Sequence, residues 1–179
     1  AACNETGTVI NMHIGSSSKM PSTSADAPPA VGSTLTFANS AYSLVDWLMS
    51  GAFVRFPDLK IAYSEGQIGW IPYVLERADK VWDENRGWNG VADSIPHPPS
   101  TYFRDHVYGC FFDDAFGLAS LDAIGVDNVT YESDYPHSDS TWPNTLAIAQ
   151  EQMKALTDDQ IYKIVRGNAI KLFQLDFDR

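Results

Sequence analysis

The run Val107-Tyr108-Gly109-Cys110-Phe111-Phe112-Asp113-Asp114 is followed by Leu118, Leu121 and Ile124 at helical spacing, a stop at Gly125, and then Asn128-Val129-Thr130-Tyr131-Glu132. An apolar run of strand length around Val107 to Phe112, a helical stripe and a second run make a β-α-β unit. Strands joined through a helix lie parallel, because the crossover returns the chain to its starting end. This stretch places the chain in the α/β class, and the same alternation continues in both directions.

Toward the N-terminus, about Thr8 to Ile14 reads as the first strand. Gly15 then opens a stretch rich in Ser, Pro, Ala and Thr as far as Ser40, where no packed element is expected. Leu44, Val45, Leu48 and Ala52 share one helical face, with Gly51 as a stop signal. The second strand, Lys60-Ile61-Ala62-Tyr63-Ser64, runs into Glu65-Gly66-Gln67. Ile71, Val74, Leu75, Ala78 and Trp82 form the next helical stripe, with Glu76, Arg77, Asp79 and Lys80 on its solvated face and Pro72 in its first turn. A Gly-, Pro- and Asn-rich connection from Asp83 to Ser100 leads back to the third strand. Beyond the fourth strand come Ser133-Asp134-Tyr135-Pro136-His137 and a helix opened by Pro143, with Leu146, Ala149, Met153 and Leu156 in one stripe. Thr157-Asp158-Asp159-Gln160 fits a capping box ahead of Ile161, Ile164 and Val165. Gly167 and Asn168 read as a break before Ala169 to Phe173.

The 179 residues are one domain by length, and 44% hydrophobic with 20% charged residues is a globular composition. Twelve Lys and Arg against 23 Asp and Glu leave a net charge of −11, so no basic footprint exists for nucleic acid or anionic lipid. Cys3 and Cys110 are too few for a disulfide framework and lack the paired spacing of a structural zinc site, which fits a cytoplasmic protein. No apolar run approaches the roughly 20 residues of a membrane helix, and the N-terminus lacks the regions of a signal peptide. The chain starts at Ala1 and enters a strand within a few residues, so a missing upstream segment is expected.

Catalytic groups of a parallel βα array collect where strands end and their following loops begin. His13 stands at the first exit, Glu65 at the second, Asp113 and Asp114 at the third, and Asp134 with His137 at the fourth. His97 and His106 precede the third strand and belong to the opposite face. An imidazole and a carboxylate brought together suit a divalent ion such as zinc. Each residue also has a plainer reading: a satisfied core histidine for His13, a capping or turn aspartate for Asp134, a solvated or capping carboxylate for Glu65, and a solvent-facing loop histidine for His137. One of Asp113 and Asp114 faces the site and the other caps the following helix. Trp47, Trp70 and Trp142 read as core or interface packing before substrate platforms.

Five ordered motifs, Asn11-Met12-His13-Ile14-Gly15, Phe56-Pro57-Asp58-Leu59-Lys60-Ile61, Gly69-Trp70-Ile71-Pro72-Tyr73-Val74-Leu75-Glu76-Arg77, Ser133-Asp134-Tyr135-Pro136-His137 and Gly167-Asn168-Ala169, resemble the amidohydrolase-related family that includes aminocarboxymuconate-semialdehyde decarboxylase-like enzymes. The resemblance implies a (β/α)8 TIM barrel whose strand-one His-x-His pair binds a divalent metal with a strand-five His and a strand-eight Asp. It makes His13 the strand-five and Asp134 the strand-eight metal ligand. No His-x-His occurs in the sequence, and a TIM barrel typically needs about 250 residues. Residues 1–179 are therefore expected to be the C-terminal half of one barrel domain, strands five to eight, with the N-terminal half as a missing partner.

The resemblance further implies a metal-dependent hydrolase in which Asp134 holds the metal and takes a proton from water, with Glu65 and His137 as further catalytic groups. Zn2+ is the expected metal, with Mn2+ or Fe2+ as alternatives, and the substrate is a small organic molecule. Decarboxylation is the alternative reaction. That branch commonly has Ala-His-Gly after strand six, where this chain reads Ser64-Glu65-Gly66. A second class of reading is an incomplete half-barrel that self-associates through its open edges, giving a homo-oligomer. A metal-free glycosidase using Glu65 and Asp134 is a third, supported only by their position.

Overall fold

Four short strands carry the fold, β1 (Ile10–His13), β2 (Ile61–Ser64), β3 (Val107–Phe111) and β4 (Val129–Tyr131), all parallel and in the order β1-β2-β3-β4. The computed structural model describes residues 1–17 and 19–177. Around the sheet run α1 (Ala2–Thr6), α2 (Pro29–Thr34), α3 (Phe37–Met49), α4 (Ala52–Arg55), α5 (Ile71–Asn85), α6 (Pro99–His106), α7 (Ala115–Ala119), α8 (Leu121–Ile124), α9 (Thr145–Gln152), α10 (Asp158–Tyr162) and α11 (Asn168–Phe173). The expected strands are present in order, each shortened by one to three residues.

All five positions of β3 are buried, as a central strand covered on both faces requires. One face of the sheet, carrying Ile61, Tyr63, Val107, Phe111 and Val129, joins Leu44 and Leu48 of α3, Ile71 and Leu75 of α5 and Phe103 of α6 in a single core. Burial of each such side chain contributes about 1.5–3 kcal/mol. The alternate positions, Ala62 and Tyr108, belong to a separate small cluster with Leu172 of α11 and Val9. Period-two alternation puts Cys110, Thr130 and Glu132 on that second face too, so it is narrow in apolar cover and rich in polar groups.

Several sequence expectations need correction. The stretch from Gly15 to Ser40 holds a short helix, α2, and the first turn of α3, with Gly32 and Ser40 buried. Its Ser and Pro content suggests a loop, but Pro29 sits in the first turn of α2, where a missing N–H costs nothing. The connection before β3 likewise contains α6, entered through Pro99, whose Tyr102, Phe103 and His106 are buried. The helix after β3 is split at Ser120 into α7 and α8, with Leu118, Leu121 and Ile124 buried as expected. Val45 is exposed at 39%, while Leu44, Leu48 and Ala52 are buried. The helix expected from Pro143 begins at Thr145, ends at Gln152 and leaves Leu146 exposed. Gly167 and Asn168 do not break the chain's helical path: a π-turn over Lys163–Gly167 runs directly into α11. The buried Asn168 amide donates to the Val126 and Val129 carbonyls, both at 2.7 Å, tying this helical segment to β4. The capping box at Thr157 and Gln160 is present with both of its hydrogen bonds.

Candidate functional site

Left-handed backbone is concentrated where the strands end. Ile14 (φ 44°) and Ser16 (φ 55°) follow β1, Glu65 (φ 59°) and Gln67 (φ 54°) follow β2, and Asp134 (φ 55°) follows β4. Such conformations are sterically unfavourable for residues with a Cβ and persist where surrounding contacts impose them. Two of the contacts are visible at the glycines between these residues. A Cβ on Gly15 would lie 2.3 Å from the Asn39 carbonyl oxygen, and one on Gly66 would lie 2.7 Å from Ser40 Oγ. The first turn of α3 therefore seats directly on both exit loops and fixes them together.

Those loops bring two imidazoles and two carboxylates into one group. His13 Nε2 lies 2.8 Å from Glu65 Oε1, and His137 Nδ1 lies 3.8 Å from Glu65 Oε2. The same His137 nitrogen is 3.0 Å from both Asp134 oxygens. The carboxylates are the sheltered partners, with side-chain exposures of 15% for Glu65 and 12% for Asp134 against 64% for His13 and 59% for His137. Asp134 beside His137, with Glu65 behind it, holds the His137 imidazole above its ordinary pKa. One ligand atom each from Glu65, Asp134 and His137 lies within 4.8 Å of the others. The sequence reading pairs His13 with Asp134. The structure gathers Asp134 with Glu65 and His137, and His13 reaches the group through Glu65.

Asp114 caps α7 by accepting the Gly117 N–H at 2.7 Å, and its other oxygen accepts from Ile68 at 2.8 Å and Gly69 at 2.6 Å. It thus joins the loop after β2 to the helix after β3. Asp113 is exposed and accepts from Gln152 Nε2 at 2.8 Å. Both line a cleft of about 640 Å³ that also contains Glu65, Asp134 and His137, with Phe37, Trp70, Phe112 and Phe116 as aromatic walls. Trp70 Nε1 donates to the Gly66 carbonyl at 2.7 Å, so this tryptophan is both a cleft wall and a brace for the loop carrying Glu65. Trp47 is partly buried against the core, and Trp142 is exposed at 60%. His106 is buried at the start of β3, 2.7 Å from the Leu59 carbonyl oxygen. Neither His97 nor His106 lines the cleft.

Glu132, at the end of the fourth strand run, carries no role in the sequence pattern. It accepts the Glu65 backbone N–H at 2.6 Å, and burial pushes its carboxyl above the usual carboxylate range while that N–H pulls it back. The available signal was a carboxylate closing a strand run, two residues before Asp134.

The amidohydrolase family profile matches residues 1–175. The chain belongs to the amidohydrolase family. Among solved structures, this amidohydrolase is similar to one from Mycobacterium avium subsp. paratuberculosis, with 21% identity and a TM-score of 0.76 over 96% of this chain and 44% of that one. It is also similar to 5-carboxyvanillate decarboxylase from Sphingomonas paucimobilis, with 23% identity and a TM-score of 0.78 over 98% of this chain and 52% of the other. A dihydroxybenzoic acid decarboxylase from Polaromonas sp., solved with manganese and the inhibitor 2-nitroresorcinol, has 20% identity and a TM-score of 0.69 over 97% and 52% of the two chains. These likenesses show the fold, and this chain spans about half the length of each. Among its described residues no helix is long and apolar enough to cross a membrane.

Proposed function

We propose that this amidohydrolase is part of a metal-dependent hydrolase acting on a small organic substrate, and that its sheet supplies strands five to eight of a TIM barrel. The observation that carries the reading is the meeting of Glu65, Asp134 and His137 within 4.8 Å at the exit ends of β2 and β4. The half-barrel is supported by the span of about half of the solved relatives and by the polar second face of the sheet, which in a closed barrel becomes the interior. The N-terminal half of the barrel is then the partner that completes the site. Assembly into a homo-oligomer in the cytoplasm, where Cys3 and Cys110 stay reduced, completes the reading.

The donor chemistry fits a divalent cation, since carboxylates and a neutral imidazole suit zinc, manganese or iron(II). Asp134, Glu65 and His137 would hold it, with His13 joining once released from Glu65. When bound, the cation makes water a stronger nucleophile near neutral pH and steadies charge developing on the substrate. Asp134 would take the proton from the attacking water. Glu65, sheltered and in contact with His13, would help hold the cation, and the proton that Asp134 has taken from water would pass to the departing atom. Trp70 and Phe112 offer apolar faces of the cleft for the substrate to pack against.

Decarboxylation is the second reading, supported by the names of two solved relatives. Hydrolysis is favoured by Ser64-Glu65-Gly66 standing where the resemblance would put the Ala-His-Gly of the decarboxylase branch. Metal analysis of the full-length enzyme tests the site. Asp134→Ala should abolish metal retention and turnover and His13→Ala should weaken both, and unchanged metal content in both variants would refute the assignment. A panel of neutral esters, amides and aryl carboxylates, read for hydrolysis products and for carbon dioxide, separates the two reactions.

A further inference from the structure

Glu132 lies one residue beyond β4, on the polar second face of the sheet. Its backbone N–H donates to the Phe111 carbonyl at 3.0 Å, which carries the β3-β4 ladder past the end of the strand and fixes where its side chain starts. From there a carboxylate oxygen accepts the Glu65 backbone N–H at 2.6 Å, a contact between residues 67 positions apart. Glu65 is left-handed, as is Gln67 two residues later, and Gly66 between them is pressed against Ser40 Oγ. A charge-assisted bond from carboxylate to amide is roughly twice as strong as a neutral one. It is also costly here, because Glu132 is largely buried and, after that, adds a third carboxylate beside Glu65 and Asp134. A residue serving only to finish the strand would be better neutral.

We propose that Glu132 is the positioning residue for Glu65: its carboxylate clamps the Glu65 amide, holds the left-handed turn after β2, and so aims the Glu65 side chain at His13 and at the Asp134–His137 pair. The role is indirect, since Glu132 acts through the backbone of its neighbour. This inference rests on the reading of Glu65 as a site residue, but the clamp itself is a property of the protein without metal.

Two measurements on the full-length enzyme keep those apart. Amide hydrogen exchange at Glu65 in metal-free protein reads the clamp, and Mn2+ titration of the same protein reads its consequence. Glu132→Met, which keeps the volume and loses the acceptor, should speed Glu65 exchange at least about 10-fold and weaken Mn2+ binding about 10- to 100-fold, the cost of losing an outer support of a metal site. Glu132→Gln retains a neutral acceptor oxygen and should lose clearly less than Glu132→Met on both counts. Unchanged Glu65 exchange in Glu132→Met overturns the proposal, as does faster exchange with Mn2+ affinity intact. Equal losses in the Gln and Met variants would mean that an acceptor oxygen at this position does not hold the Glu65 amide, and would also overturn it. If the wild-type enzyme binds no Mn2+, the metal reading fails and Glu65 exchange alone decides the clamp. Should Glu132→Met not fold, Glu132→Ala replaces it in the same comparison.

Discussion

The two ends of the sheet use the same side chain in opposite ways. At the entry end, His106 is 5% exposed, sits 2.7 Å from the Leu59 carbonyl oxygen and stacks on Phe53 with ring centres 4.4 Å apart. Burial pushes its pKa below the ordinary histidine value. At the exit end, His13 and His137 are mostly exposed and face carboxylates, and His137 is held above that value. The difference follows from chain direction. Entry ends of parallel strands are closed by short turns packed into the core, whereas exit ends open into loops that stand clear of it. A histidine at the first end is asked to stay neutral and fill space, and one at the second is free to exchange partners.

The comparison breaks most readily at Asp134. Replacing it by alanine should weaken metal binding in the full-length enzyme by more than about 100-fold, beyond the loss of an outer contact, with little change in melting temperature. His106→Ala should do the reverse, costing about 2–4 kcal/mol in denaturant unfolding through a lost stack, a lost hydrogen bond and a cavity, while metal content stays at the wild-type level. If His106→Ala empties the metal site, the two ends are not independent. Asp114→Ala should fall between them. It leaves three backbone N–H groups without their acceptor and should cost about 2–3 kcal/mol, with faster amide exchange at Ile68, Gly69 and Gly117. Protected amides at all three in that variant would show that the loop after β2 is held by other contacts.

The smallest effect expected is a pH slope. The folded protein resists protonating His106, so near its unfolded pKa of about 6.5 the unfolded chain binds more protons and stability rises with pH. The contribution is complete above that value and is lost as pH falls through it toward the lower folded pKa. His106→Phe should flatten the decline in melting temperature between about pH 7.5 and pH 5. A slope as steep as that of the wild type would assign it to other groups.

Much of this arrangement was legible in the residues. The β-α-β stretch around Phe111 and Tyr131 specified a parallel sheet, and the exit rule then selected His13, Glu65, Asp134 and His137 while setting His97 and His106 aside. Two helices entered through proline, α2 and α6, were not legible. Pro98-Pro99 reads as loop until Tyr102, Phe103 and His106 are seen packing on the core. Gly167 and Asn168 read as a stop, because nothing local reveals that the Asn168 amide binds two carbonyls near β4.

Local period and chain direction therefore determine, without any coordinates, which residues share a strand and at which end each stands. That is short-range information, written in neighbours two to four positions apart. Which exit residues meet is a different matter. The approach of His13 to Glu65, the left-handed turns seated on Asn39 and Ser40, and the reach of Glu132 to an amide 67 positions away depend on strand register and on α3 closing over two loops at once. Those are contacts of long sequence separation, fixed by packing of the whole core, and only the tertiary structure could decide them.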